Sequence, residues 1–98
     1  MRALYDRKAS IIVIDIDVDH VADAVDSIDL APRATVMLDG HGKPLTLEIV
    51  GADYGVEEPI GAALNRWPEL DREALVAAAR SALSAPDREV SVTLDAAA

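Results

Sequence analysis

An alternating stretch near the start of the chain limits most strongly what this sequence can fold into. Within residues 10–18, every second position holds a branched aliphatic residue: Ile12, Ile14, Ile16 and Val18. The positions between and after them are mostly acidic: Val13, Asp15, Asp17 and Asp19. Successive side chains of a β-strand point to opposite faces of a sheet. The sequence therefore predicts a strand over residues 10–18 with one buried face and one face in water.

The clearest hairpin signal lies in the middle of the chain. Residues 35–38 are rich in strand-forming side chains, and in residues 45–50 apolar Leu45, Leu47 and Ile49 alternate with Thr46, Glu48 and Val50. The segment between them contains Gly40 and Gly42. Tight hairpin turns need positive φ angles, which glycine adopts without steric cost. We therefore predict two antiparallel strands joined by a turn at residues 39–42, with both glycines supplying positive φ.

Three further segments have strand-like patterns of different clarity. Leu4 and Tyr5 predict a short strand that ends in a turn at Asp6, and residues 89–94 alternate as a final strand. Residues 21–30 fit a helical stripe and an alternating strand face equally well, so periodicity leaves both alternatives open. Pro32 ends either element, because the residue before a proline is driven out of the helical region.

The second half of the chain predicts two helices. Apolar residues recur at helical spacing in the first of them: Ile60, Ala63, Leu64 and Trp67. Pro59 suits a first helical turn and Pro68 ends the helix, so Trp67 is expected to pack against the sheet. The second helix is predicted to begin after an N-cap at Asp71 and to end before Pro86.

Together these elements predict an α+β fold, a small, mostly antiparallel sheet of four or five strands with two helices packed on one face. The 98 residues suit a single domain over 1–98. Within it we expect a β half over about 3–52, a helical half over about 57–85 and the final strand over about 89–94.

Composition excludes several classes of function. The chain has 18 acidic and 9 basic residues, a net charge of −9, which repels nucleic acid and anionic membranes. It has no cysteine, which excludes disulfides and thiolate chemistry and fits a reducing compartment. No stretch has the length of a signal peptide or a membrane span. We therefore expect a cytoplasmic protein with no cofactor and with no nucleic acid or membrane partner.

The first half of the chain contains two short motifs, Tyr5-Asp6-x-x-Ala9 and Leu38-Asp39-x-x-Gly42-x-x-Leu45-x-Leu47-Glu48-Ile49. On these motifs, about residues 3–52 resemble the bacterial family catalogued as domain of unknown function 2283. The family's usual Asp, aromatic residue and Gly are replaced here by Ser10, Val13 and Thr46. The resemblance implies a small antiparallel meander and favours a strand over a helix at residues 22–30. It implies no activity.

The aspartates of the alternating stretch are the first candidates for chemistry. Asp15, Asp17 and Asp19 partly reproduce the carboxylate spacing of a calcium loop. Such a loop needs glycine at its sixth position, where this chain has His20, and it is entered from a helix where this chain predicts a strand. We interpret these carboxylates as a solvated strand face. A divalent-metal or small-ligand site over residues 15–26 is the alternative hypothesis.

Glu48 is the candidate for contact with a partner. It is predicted to share a strand face with Thr46 and Val50, as an exposed acid near a sheet edge. The sequence has no nucleophile elbow, no phosphate-binding glycine loop and no ordered Ser, His and Asp set. The expected function is therefore a non-enzymatic protein-interaction or regulatory module that binds a protein partner or self-associates through a sheet edge.

Overall fold

One antiparallel sheet of six strands organises the fold in this computed structural model, which describes residues 1–93. The strands are β1 (Arg2–Asp6), β2 (Ile11–Asp15), β3 (Asp26–Leu30), β4 (Ala34–Leu38), β5 (Pro44–Val50) and β6 (Glu89–Ser91). Their spatial order is β3-β4-β5-β2-β1-β6. Two helices, α1 (Glu57–Arg66) and α2 (Arg72–Ser84), lie between β5 and β6 along the chain. The predicted α+β class is confirmed, with six strands instead of four or five.

Strand β2 confirms the buried face of the alternating stretch but is shorter than predicted. Ile12 and Ile14 are fully buried, whereas Val18 is 37% exposed and begins a 3-10 helix over Val18–Asp23. The predicted strand over residues 10–18 fails after Asp15 because the backbone N–H groups of Ile16 and Asp17 both donate to the carbonyl of Leu45. Two residues then oppose one, as in a bulge, and the two-residue period is lost.

The ambiguous segment over residues 21–30 contains both kinds of structure. The 3-10 helix ends at Asp23, and β3 begins at Asp26. Pairing with β4 makes 26–30 a strand, since Ile28 lies opposite the buried Val36. The preference for a strand that followed from the family resemblance is thus confirmed for residues 26–30 and wrong for residues 22–23.

The predicted hairpin is formed by β4 and β5. Its turn is closed by Asp39, whose carboxylate accepts the backbone N–H groups of His41 at 2.8 Å and Lys43 at 2.9 Å. Gly42 has a φ of +79°, as expected, but Gly40 does not have a positive φ. The prediction for Gly40 is wrong because this turn needs only one positive φ: the Gly42 N–H donates to the Asp39 carbonyl at 3.1 Å, and Gly42 is the residue with the left-handed conformation.

Both helices pack on one face of the sheet and complete the core. The sheet contributes residues such as Ile14, Val36 and Leu47, and the helices contribute Ile60 and Leu75, all of them at most 1% exposed. Trp67, directly after α1, is 9% exposed and joins the same cluster, which confirms its predicted packing role.

The final strand is shorter in the structure than in the prediction over residues 89–94. Strand β6 ends at Ser91 and pairs with β1, Ala3 lying opposite Val90. The Val92 N–H still donates to the carbonyl of Met1 at 2.8 Å. Leu94, the last residue of the predicted strand, lies outside the described residues.

The N-cap of α2 gives a first testable prediction. The Asp71 carboxylate accepts the backbone N–H of Ala74 at 3.1 Å, as predicted. Asp71→Ala should lower the free energy of unfolding by about 1 kcal/mol, because it leaves a helical N–H without its acceptor. Asp71→Asn keeps an acceptor oxygen and should lower the free energy of unfolding clearly less. The two urea midpoints measure the difference, and equal losses would contradict the capping role.

Candidate functional site

The two faces of the sheet differ in what covers them. The helices pack on the face that holds Ile12, Ile14 and Leu47. Neither α1 nor α2 packs on the opposite face, which we call the open face and which consists of the outward side chains of the six strands. Its apolar members are Leu4, Ile11, Val13, Met37 and Val50. Its charged members are Arg2, Asp6, Asp15, Asp29, Glu48 and Glu89.

Four of the apolar residues form a continuous surface, here called the aliphatic patch: Leu4, Ile11, Val13 and Val50. Leu4 of β1 lies opposite Val13 of β2, and Ile11 lies opposite Val50 of β5. Leu4 is 39% and Val50 is 42% exposed. Directly opposed side chains on neighbouring strands are in contact range. The patch therefore spans three central strands without interruption by a charge.

An ion pair borders the aliphatic patch at one end of β1. The Arg2 guanidinium contacts Asp15 through Nε at 2.9 Å and through a terminal nitrogen at 2.8 Å. Glu89 of β6 lies 3.8 Å from Arg2 Nε. The hydrogen bond and the negative charge of Asp15 raise the pKa of Arg2 above its already high ordinary value. The guanidinium is therefore committed to its neighbours on the sheet.

Glu48 lies in the interior of the open face. Strand β5 has β4 on one side and β2 on the other, and Glu48 stands between Thr35 and Val13. Its predicted outward orientation, on the same face as Thr46 and Val50, is confirmed, but its predicted position near a sheet edge is wrong. The error arises because strand order depends on pairing over long distances. In the described part of the chain no ion pair involves Glu48.

The aspartates proposed for a metal site do not converge. Asp15 pairs with Arg2, Asp17 accepts one hydrogen bond from Lys43 Nζ at 2.7 Å, and Asp19 is exposed in the 3-10 helix. Within residues 1–93 no three His, Cys, Asp or Glu side chains are placed to hold a metal ion. Asp15 lies on the outward face of β2, as interpreted, whereas Asp17 and Asp19 lie beyond the end of the strand. The side chains of Asp15 and Asp17 are 19% exposed, and each is paired with a cation.

Asp17 is the centre of a small ionic cluster with His20 and Lys43. His20 Nδ1 lies 2.8 Å from Asp17 Oδ1. Hydrogen bonds lower the pKa of Asp17, with a larger effect from Lys43 than from His20. The Asp17 carboxylate in turn raises the pKa values of His20 and Lys43. The pairing therefore favours the charged forms of Asp17, His20 and Lys43. The cluster holds the 3-10 helix against the β4–β5 turn.

The ionic cluster predicts how His20 titrates. Its pKa should lie above the ordinary value of about 6.5, because Asp17 stabilises the imidazolium. This contribution to stability is complete below the unfolded pKa and is lost as the pH rises through the folded one. In Asp17→Asn the pKa of His20 should fall. NMR titration of the imidazole signals measures the change, with Asp29→Asn as a control of equal charge. Equal pKa values in the wild type and Asp17→Asn would refute the pairing.

A shallow cavity of about 430 Å³ lies at the N-terminus of α1, lined in part by Arg33, Tyr54, Glu57 and Arg80. Its cations already have partners. Arg33 donates to the carbonyls of three residues, Val50, Gly51 and Gly55. Arg80 pairs with Glu57 at 3.2 Å. The cavity offers no uncommitted charge from these arginines, so the open face is the stronger candidate site.

Comparison with known proteins found no match. No family model matches the chain, and neither the search of curated proteins nor the search of solved structures found a similar protein. The resemblance to domain of unknown function 2283 therefore stays a prediction. No helix within residues 1–93 has the length and apolar character needed to cross a membrane.

Sequence reasoning missed the aliphatic patch. The available signal was the run from Ile11 to Ile14, in which both strand faces are apolar. A strand that is apolar on both faces is typical of one covered on both sides. Ile12 and Ile14 are covered by the helices, whereas Ile11 and Val13 lie on the open face. The run therefore indicated that a second apolar surface, on the open face, could be buried by another protein.

Proposed function

We propose that this chain is a non-enzymatic protein-interaction module whose contact surface is the open face. The observation that carries the proposal is the aliphatic patch, since Leu4 and Val50 remain 39% and 42% exposed beside Ile11 and Val13. Contiguous exposed apolar surface bordered by polar groups is characteristic of sites where proteins associate. The proposal places the contact on a sheet face instead of a sheet edge.

A divalent-metal or small-ligand site over residues 15–26 remains the alternative hypothesis. A cation there would have to compete with Arg2 for Asp15 and with Lys43 for Asp17, which are paired at 2.8 and 2.7 Å. Binding to the folded state alone raises the melting temperature. A rise with Ca²⁺ or Mg²⁺ that disappears in Asp17→Asn would support this alternative against the interaction module.

Site-specific crosslinking tests the proposed function directly. The chain has no cysteine, so Leu4→Cys creates a single attachment point for a benzophenone on the open face. Glu69→Cys places the same group in the exposed loop between α1 and α2 and serves as the control. After irradiation in an extract of the source cell, we expect the Leu4→Cys variant to form defined protein adducts. The Glu69→Cys variant should form none of these adducts.

The same measurement defines the result that would overturn the proposal. If both positions give the same adducts, or if position 4 gives none while circular dichroism shows a folded chain, the open face is not a contact surface. Mass spectrometry of the adduct also reports its composition. It therefore distinguishes a second copy of this chain from a different protein.

A further inference from the structure

The charges on the open face indicate which partner fits it. Resting on the proposed function, we propose that the partner is a protein surface that presents aliphatic side chains surrounded by lysine or arginine. Among the described residues, the strands of this face carry five carboxylates, Asp6, Asp15, Asp29, Glu48 and Glu89, against the single guanidinium of Arg2. A cationic surface is the electrostatic complement of this face.

Glu48 is the anchor of this recognition. Its row across the sheet runs from Leu4 through Val13 to Glu48, then to Thr35. Glu48 is half-buried and has no ion-pair partner within residues 1–93. A lysine or arginine of a partner can lay its aliphatic stem on the patch and bring its charged end to Glu48, because these side chains bury their stems while the charge stays at a polar site.

Two depressions on either side of Glu48 suit the apolar part of the same partner. One, of about 220 Å³, is lined in part by Leu4, Val13 and Asp15. The other, of about 540 Å³, is lined in part by Asp29, Thr35 and Val50. Each combines aliphatic and acidic lining with one arginine, Arg2 in the first and Arg33 in the second. Because Arg2 already pairs with Asp15, the depressions suit the apolar side chains of a partner, and Glu48 between them is the carboxylate that its cation can reach.

A second copy of this chain is a poor occupant of the open face. Two such faces brought together would oppose carboxylates to carboxylates, and like charges across an interface cost affinity. The six strands give the face a flat area of about 500 Å², from strand spacing and rise. A standard interface buries about 800 Å² on each partner, and obligate dimers bury more. The charge favours a different, basic protein over a second copy, and the small area favours a transient complex over an obligate one.

Two designed peptides test the inference on the full chain. Both are amphipathic helices with the same leucine stripe, flanked by lysines in one and by glutamates in the other. We expect the lysine peptide to shift backbone amide signals of β1, β2 and β5 in NMR spectra of the labelled protein, and the glutamate peptide to leave them unchanged. Raising the salt concentration should weaken binding of the lysine peptide to the protein, since salt screens exposed charges.

Charge variants locate the recognition at Glu48. Glu48→Lys should lower the affinity for the lysine peptide by at least about tenfold. Glu48→Gln, which keeps the shape of the side chain, should lower that affinity less. Glu69→Lys makes the same charge change in the loop between the helices and should leave the affinity unchanged. Equal binding of both peptides, no binding of the lysine peptide, or equal losses in Glu48→Lys and Glu69→Lys would overturn the inference.

Failure of this inference can be told apart from failure of the proposed function. If Leu4→Cys crosslinks to an acidic protein or to a second copy, the open face is a contact surface and the inference of a basic partner is wrong. If the lysine peptide binds at the open face but position 4 yields no adduct in the extract, the chemistry of recognition stands and the proposed function fails.

Discussion

Ile14→Ala is expected to lower the free energy of unfolding by about 2–5 kcal/mol. Ile14 is fully buried on the helix-covered face, between Ala3 of β1 and Leu47 of β5. Truncation removes buried apolar surface and leaves a cavity that the two neighbouring strands restrict from closing. Urea unfolding followed by circular dichroism measures the loss.

The adjacent residue provides the matched control. Val13 occupies the same strand but points to the open face, where it is only partly buried. Val13→Ala should cost no more than about 1 kcal/mol in the free chain, since little buried surface is lost. If the two variants unfold at the same urea concentration, the assignment of β2 side chains to the two faces is wrong. The proposed function adds that Val13→Ala weakens partner binding.

Trp67→Ala is expected to destabilise the chain by about 3–5 kcal/mol. Trp67 is 9% exposed and belongs to the core cluster between the helices and the sheet. Its backbone N–H donates to the carbonyl of Ala63 at 2.8 Å, which fixes the backbone of Trp67 at the point where α1 ends. Small domains are stable by about 5–15 kcal/mol. Loss of this one ring can therefore remove a large part of the total.

Tyr54 is the aromatic control for this variant. Its ring is 79% exposed, with the Arg33 guanidinium 5.8 Å from its centre. An exposed contact of this type contributes about 0.5–1 kcal/mol, and Tyr54→Ala should cost no more than that. Melting temperatures of the two variants give the comparison. Similar losses would mean that Trp67 does not support the core.

The helices and the hairpin could be predicted because their signals are local. Asp71, the apolar spacing of α2 and the proline after it lie within one short segment. Strand β3 could not be assigned with the same clarity, since residues 26–30 become a strand through pairing with β4. Periodicity describes one segment at a time and contains no information on which partner it meets.

The same limit applies to the candidate site. Alternation correctly placed Glu48 on a face with Thr46 and Val50, but not in the middle of the sheet. Likewise, the carboxylates of Asp15 and Asp17 have partners 13 and 26 residues away along the chain. Spacing alone made them resemble ion ligands. The fold instead uses them in ion pairs that join separate segments.

The strand order has a consequence for how the chain is made. Strand β1 pairs with β2 on one side and with β6 on the other, although β6 follows both helices. During synthesis on a ribosome, the second edge of β1 stays uncovered until residues 89–91 have been made. Contacts between residues so distant in sequence slow folding, and an unpaired strand edge invites aggregation. Nascent chains that end before residue 89 should therefore depend on chaperones more than the finished protein does.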